Sequence, residues 1–79
     1  MIDPRTLGAR ISERRQRKGL TQKDLAELLS VCPQAVSKWE RGRAFPDLTY
    51  IDELAGCLDC SIDELLIGVG QKRKEQVEK

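Results

Sequence analysis

Four polar side chains between residues 34 and 41 are spaced to share one face of a helix. Gln34, Ser37, Lys38 and Arg41 recur at helical intervals, which brings them onto one surface. A glutamine amide can pair bidentately with an adenine edge, and a lysine can reach O6 and N7 of guanine. We therefore expect this face to contact nucleic acid. A solvated surface with no partner is the alternative interpretation of the same residues.

Two short helices would position this face. The stretch TQKDLAELLSVCPQAVSKWERG contains two amphipathic segments with Ser30-Val31-Cys32 between them. The first begins at Thr21 and has a variant of the capping box, with Asp24 three residues on. Its predicted inward residues are Leu25, Ala26, Leu28 and Leu29. The second begins with proline at residue 33, ends at Gly42, and has Val36 and Trp39 as its apolar residues. Two helices joined this tightly cross steeply, in the arrangement of a helix-turn-helix.

Three further helices are predicted to complete the core. The first opens at Asp3-Pro4, runs to about Lys18 and stops at Gly19. The fourth is capped by Asp47, and its apolar residues recur at helical spacing: Leu48, Ile51, Leu54, Ala55 and Leu58. The fifth begins with a capping box of Ser61 and Glu64 and carries Ile62, Leu65 and Leu66. The prediction is an all-α, compact five-helix bundle in residues 1–70, followed by a polar, flexible tail at 71–79.

Charge is distributed unevenly along the 79 residues. Residues 1–43 contain ten Lys or Arg and five Asp or Glu, whereas residues 44–70 contain six acids and no base. A basic half on a chain with a net charge of +1 can still meet phosphates. No membrane span or secretory signal is visible, and three cysteines argue against a disulfide framework. These features predict a cytoplasmic protein.

The residue types give little support to catalysis or metal binding. The sequence has no histidine, so Ser-His and Cys-His pairs are impossible and no enzyme is expected. Cys57-Leu-Asp-Cys60 could indicate a metal or redox site, but no second such pair exists to complete four zinc ligands. We interpret both cysteines as structural and expect no cofactor.

The motifs resemble the helix-turn-helix DNA-binding domain of Cro and the phage repressors, the XRE family. LTQKDLAELLSVCPQAVSKWERGRAFPDL followed by LDCSIDELL carries the resemblance, which covers about residues 7–68. It implies a lambda-repressor-like bundle that binds operator DNA, usually as a homodimer on a palindrome. The resemblance also implies roles for individual residues. Base contacts fall at Pro33, Gln34 and Lys38, with Ser37 beside them on the same face.

Phosphate contacts are expected around the base-contacting helix. The resemblance places Gln22, Arg41 and Arg43 on the DNA backbone, and the helix start at Thr21 favours phosphate through its free N–H groups. Arg15 and Glu40 match a pair that joins the first helix to the third. Such a pair would orient the DNA-contacting helix.

Three positions depart from the family pattern. Ser30 lies where the turn usually has glycine, and a left-handed backbone there would cost about 1–2 kcal/mol. Cys32 replaces the usual serine cap of the third helix. Pro33 removes one side chain that could contact a base, which reduces the number of direct contacts on that helix.

These observations predict a sequence-specific DNA-binding transcriptional regulator, a repressor that inserts helix 33–41 into the major groove. A dimer through the fifth helix, with Leu66, Ile67 and Val69, is part of this prediction. The alternative is a protein-interaction role on the same fold. An antitoxin that binds a toxin and its own operator, or an adaptor without base contacts, would have the same sequence features.

Overall fold

The computed structural model describes residues 3–67, and within that range the chain forms five helices and no strand. The all-α prediction is confirmed. The helices follow one another as α1 (Pro4–Arg17), α2 (Gln22–Leu29), α3 (Pro33–Glu40), α4 (Leu48–Cys57) and α5 (Ile62–Leu66). The predicted tail at 71–79, and Val69 of the predicted dimer surface, lie outside the described residues.

Side-chain caps begin three of the helices where the sequence indicated them. The Asp3 carboxylate accepts a hydrogen bond from the Arg5 amide at the start of α1. Complete capping boxes begin α2, with Thr21 and Asp24, and α5, with Ser61 and Glu64. Each box satisfies backbone N–H groups that have no partner within the helix.

The other two helices begin without a side-chain cap. Cys32 is the N-cap residue of α3 and makes no capping hydrogen bond, as expected for a thiol. Asp47 is the N-cap residue of α4, but its side chain also makes no capping hydrogen bond. The prediction for Asp47 was therefore right about where α4 begins and wrong about the capping hydrogen bond.

Left-handed residues end the first four helices: Gly19, Ser30, Gly42 and Asp59. After each of them the next amide donates to a carbonyl five residues earlier; the Val31 amide, for example, donates to the Ala26 oxygen over 2.9 Å. This pattern reverses the chain while satisfying carbonyls that the helix leaves free. It explains how four turns of a few residues can pack five helices around one core.

One apolar core joins all five helices. Its members are Leu7, Ile11, Leu25, Ala26, Leu29, Val36, Trp39, Ile51, Leu54, Ala55, Leu58 and Leu65. The predicted apolar stripes supply nearly all of them. No helix among the described residues is long and apolar enough to cross a bilayer.

Two leucines that the sequence placed in the core are exposed. Leu28 has 59% of its surface in solvent because it lies about 100° around α2 from the centre of the stripe formed by Leu25, Ala26 and Leu29. Leu48 has 80% in solvent because it is the first residue of α4, where the chain leaves the preceding loop. Ile62, at the corresponding first position of α5, is also exposed.

Candidate nucleic-acid interface

Helix α3 has one fully buried side and one exposed polar side. Val36 is completely buried, and Trp39 retains 6% of its surface while its ring packs 5.7 Å from that of Tyr50. Trp39 therefore belongs to the core, as its spacing predicted. Burial of this side fixes the rotation of the helix about its own axis, so the opposite side must face outward.

The polar face of α3 consists of Gln34, Ser37, Lys38 and Arg41, the last of which is the C-cap residue. Gln34, Lys38 and Arg41 are exposed, and Ser37 is half-buried. The structure therefore brings the four predicted contact residues onto one side of α3. Ser37 lies toward the edge of this face, which leaves its hydroxyl less accessible than the amide of Gln34.

Gly8 allows α1 to cross the end of α3 in close contact. A Cβ atom at Gly8 would overlap the backbone oxygen of Trp39 and lie 2.7 Å from that of Glu40. These are backbone atoms, so they cannot move aside as a flexible side chain could. The absence of a side chain at residue 8 thus sets how closely α1 supports the C-terminal end of α3.

Arg15 and Glu40 form the predicted bridge between α1 and α3. Arg15 Nε donates to Glu40 Oε2 over 2.6 Å, and Nη2 donates to Oε1 over 3.0 Å. Arg15 Nη1 also donates to the Leu20 carbonyl over 2.8 Å, before α2 begins. From α2, Gln22 Nε2 donates to Glu40 Oε1 over 3.0 Å. One carboxylate at the end of α3 is therefore held by side chains from both α1 and α2.

The bridge is shielded from solvent. The Arg15 and Glu40 side chains are 12% and 7% exposed. Hydrogen bonding to Glu40 raises the pKa of the Arg15 guanidinium above its ordinary value, outweighing the opposing effect of burial. Burying a charge pair returns little net stability, but its geometry is specific because bidentate bonding fixes both planes. The bridge thus holds α3 at one angle to α1 and α2.

The four predicted phosphate contacts have different surroundings. Thr21 is exposed, its hydroxyl oxygen accepts from the Asp24 amide, and its hydroxyl also hydrogen-bonds the Asp24 carboxylate. Gln22 is half-buried and uses one amide N–H on Glu40, which leaves the second. Arg41 and Arg43 are exposed just past α3. Gln22, Arg41 and Arg43 each retain at least one donor for an anion.

Three cations on and after α3 have no ion-pair partner among the described residues. Within residues 3–67, Lys38, Arg41 and Arg43 take part in no ion pair, whereas Arg15, Arg17 and Lys18 pair with acids. An unpaired exposed cation can meet a phosphate without first breaking another contact. Unpaired positive charges therefore lie on the polar face of α3, at Lys38 and Arg41, and just after it, at Arg43.

Residues 11–65 match the helix-turn-helix family. This match spans more than half of the chain and includes α2, α3 and most of the core. The chain belongs to the helix-turn-helix family. The resemblance predicted from the motifs is thereby confirmed.

Known helix-turn-helix proteins of several kinds are similar to the chain. The transcriptional activator BcrR of Enterococcus faecalis is 39% identical over 59 residues, which cover 75% of this chain and 29% of BcrR. The regulator DicA of Escherichia coli is 37% identical over 68 residues, covering 86% of this chain and 50% of DicA. The chain thus spans half or less of the length of these two relatives.

A solved structure extends the likeness to the fold. The P22 c2 repressor in complex with a synthetic operator superimposes with a TM-score of 0.76 at 35% identity, over 78% of this chain and 94% of the repressor chain. The lambda-repressor-like bundle predicted from the resemblance is therefore confirmed. The chain is a helix-turn-helix domain of the type found in transcriptional regulators.

The turn of the helix-turn-helix contains the departures noted in the sequence. Ser30 is left-handed, with φ 61° and ψ 42°, a conformation that favours glycine. Cys32 and Pro33 are both exposed at the start of α3. Pro33 occupies the first helical position, where its missing N–H costs no hydrogen bond. The turn is thus strained at one residue and otherwise compatible with its sequence.

Cys57 and Cys60 are free thiols three residues apart. Cys57 and Cys60 are half-buried against the core, and burial raises the pKa of the Cys60 thiol. A raised pKa lowers the thiolate fraction and with it reactivity. Among residues 3–67 there is no group of three or more Cys, Asp or Glu placed to hold a metal ion.

Proposed function

We propose that the chain is a cytoplasmic, sequence-specific DNA-binding transcriptional regulator that acts as a repressor by inserting α3 into the major groove. One observation carries the proposal: the buried side of α3 is anchored by Val36 and Trp39, while its exposed side presents Gln34 and Lys38. A helix held in this way fits the width of the major groove. Membership of a family of transcriptional regulators supports the same conclusion.

The proposed contacts divide into those that specify sequence and those that position the protein. Gln34 pairs with an adenine edge, and Lys38 reaches the acceptors of a guanine. Ser37 contributes from the edge of the same face. Because Pro33 has no donor, fewer base contacts are available than on a helix that begins with a polar side chain. Specificity therefore rests mainly on two side chains.

The proposed phosphate contacts flank the α3 polar face. Thr21 and Gln22 donate from the start of α2, and Arg41 and Arg43 from beyond the end of α3. Contacts to phosphates fix register without distinguishing bases. Gln22 would act in two ways, since the amide group that binds phosphate also donates to Glu40.

A homodimer on a palindromic operator is the proposed assembly. Two copies place their α3 helices one helical turn of DNA apart, about 34 Å, and the operator complex of the P22 c2 repressor supports DNA as the partner. The fifth helix offers Leu66, which is half-buried, and Ile67, which is 46% exposed, for the dimer surface. Because the similar protein BcrR is named an activator, repression is tested separately with a promoter fusion.

Selection of bound sequences from random DNA tests the proposed specificity. The wild-type chain should recover a palindromic motif. Gln34→Ala and Lys38→Ala should each lose preference at one base pair per half-site, at a cost of about 1–3 kcal/mol. Arg43→Ala should weaken binding to all sequences alike. Equal effects of all three variants on specific and random DNA would refute the assignment of base contacts.

Salt dependence tests whether DNA is the partner at all. Affinity should fall steeply between about 50 and 200 mM salt, because each phosphate contact releases counterions. Arg43→Ala should reduce the slope of log affinity against log salt by about 1. A flat response would favour a protein-interaction role, as in an antitoxin or adaptor, and a toxin gene adjacent to the gene for this chain would favour the antitoxin.

A further inference from the structure

Leu28 separates two grooves on the surface of the bundle. Its side chain is 59% exposed. The first groove runs between α2 and α4, and its apolar lining comes from Leu28, Leu29, Tyr50 and Cys57. A second, smaller groove shares Leu28 and includes Leu20. A single exposed leucine is ordinary, but one that forms a wall of two grooves offers apolar contact on two sides. We call this pair the Leu28 grooves.

Among residues 3–67, every charged residue that lines the Leu28 grooves is acidic. Asp47 and Glu53 line the first, and Asp24 and Glu27 line the second. Glu27, Asp47 and Glu53 form no ion pair and no side-chain hydrogen bond within residues 3–67. Lys23, the base on α2, lines neither groove. Three carboxylates along the two grooves thus have no balancing cation within the part of the chain that the structure describes.

This combination of shape and charge selects the kind of occupant. Nucleic acid is disfavoured because four carboxylates repel phosphates, in contrast to the basic α3 polar face. A purely apolar segment would leave the carboxylates facing it unpaired, which costs free energy on desolvation. A segment with one large apolar side chain and flanking Lys or Arg satisfies both features. Opposite charges across such a contact also speed association and reject acidic competitors.

We propose that the Leu28 grooves dock a cationic amphipathic segment of a partner protein, with an apolar side chain against Leu28 and Lys or Arg side chains facing Glu27, Asp47 and Glu53. None of the residues assigned to DNA contact lines either groove. The proposed docking site and the proposed DNA contacts therefore use different residues. The proposal does not rest on the proposed DNA-binding function.

Panning a displayed library of short random peptides against the full chain tests the docking site. Enriched peptides should have a net positive charge and at least one large apolar residue. Their affinity should fall about tenfold or more for Leu28→Gln, because an apolar contact of that size is lost. The double variant Glu27→Gln/Glu53→Gln should also weaken binding, and added salt should weaken it further.

Matched controls separate the grooves from the general surface. Leu48→Gln removes another exposed leucine, and Asp52→Asn removes another exposed acid of α4; neither residue lines a groove. Both variants should bind the enriched peptides like wild type. The proposal is overturned if peptides bind Leu28→Gln and wild type equally, if acidic or uncharged peptides are enriched, or if none is enriched over the bare support.

Two further measurements identify the occupant and keep the conclusions independent. A synthetic peptide of residues 68–79 is titrated against the full chain, as wild type and as Leu28→Gln. Binding of that peptide with the same dependence on Leu28 would make the chain's own tail the occupant and overturn the assignment to a partner. DNA affinity is measured on the same variants, and Leu28→Gln should leave it unchanged. If the wild-type chain does not bind DNA, the proposed function is refuted and the peptide result still stands.

Discussion

Removing either member of the Arg15–Glu40 bridge should destabilise the fold unequally. In Glu40→Ala, the Arg15 guanidinium keeps its bond to the Leu20 carbonyl, and its long side chain can turn toward water. In Arg15→Ala, the Glu40 carboxylate, which is 7% exposed in the intact bridge, keeps only Gln22 as a side-chain donor. The Glu40 side chain is shorter than that of Arg15 and less able to turn toward water, so Arg15→Ala should be the more damaging change.

The structure sets the size of the effect. Breaking a buried pair by removing one partner costs about 3–5 kcal/mol, and Arg15→Ala belongs in that range. Glu40→Ala should cost about 2–3 kcal/mol, because the group left behind is better satisfied. A domain of this size has about 5 kcal/mol to lose, so Arg15→Ala approaches unfolding. Arg15→Lys keeps the charge without bidentate bonding and provides a milder third variant.

Urea unfolding of the wild type, the single variants and the double variant, closed as a cycle, measures the coupling. We expect about 1–3 kcal/mol of coupling for Arg15 and Glu40. Arg17 and Glu13 on α1 form a matched control, with a 3.0 Å contact between side chains that are 67% and 61% exposed. Their cycle should give about 0.3–0.5 kcal/mol, and added salt should reduce it.

The reasoning would be refuted by additivity. If the Arg15→Ala and Glu40→Ala effects sum to that of the double variant, no direct pair exists in solution. If the cycle for the exposed Arg17 and Glu13 pair gives an equal coupling, burial is not the source of the difference. If Glu40→Ala is costlier than Arg15→Ala, the guanidinium and not the carboxylate is the group that the fold leaves without a partner.

Three other changes have predicted directions. Ser30→Gly should stabilise the fold by about 0.5–1 kcal/mol in thermal melts. Glycine removes the left-handed strain, and the greater freedom of glycine in the unfolded chain offsets part of that gain. A lower melting temperature would contradict this prediction. Gly8→Ala should destabilise it by about 1–3 kcal/mol in urea titration, because the new methyl group overlaps the Trp39 and Glu40 carbonyls; an unchanged midpoint would show that α1 can shift. Hydrogen bonds from Thr21 hold the pKa of Asp24 below its usual 3.8, so this carboxylate stabilises the fold above pH 3.8 and ceases to do so as the pH falls through its lower folded value. Asp24→Asn should therefore be less stable than wild type near neutral pH and equal to it in strong acid, and a difference that persists in acid would exclude the charge as its cause.

The elements were largely predictable from the sequence because their signals are local. Capping residues at Thr21 and Ser61 marked helix starts, and Gly19 and Gly42 marked ends. Such signals depend on a few neighbouring residues, so packing of the helices against one another seldom overrides them. Leu28 was misplaced because periodicity over eight residues cannot define the edge of a buried stripe. Which side of a short helix is covered depends on where its neighbours lie, and that is a property of the assembled bundle.

The Arg15–Glu40 bridge was predictable, the other hydrogen bonds around it were less so, and the assigned DNA contacts stay predictions. The resemblance indicated Arg15 and Glu40, and the structure pairs them. The bond from Gln22 to Glu40 was missed because it depends on the crossing of α2 and α3, which sequence spacing does not report. Gly8 was also missed, although it carried a signal. A glycine inside an otherwise regular helix is costly, and a close approach of backbone is a common reason for one.

These connections imply that stability and DNA recognition depend on one carboxylate. Glu40 ends α3, and it binds Arg15 of α1 and Gln22 of α2. Its loss would free the C-terminal end of α3 and the Gln22 amide, although Glu40 itself is not assigned to DNA. If the DNA-contacting face must become ordered on binding, the conformational entropy that it loses lowers the affinity. Glu40→Ala, measured at a temperature where it remains folded, should therefore weaken DNA binding and narrow the ratio of specific to random affinity. An unchanged ratio would mean that the core residues Val36 and Trp39 alone orient the α3 polar face.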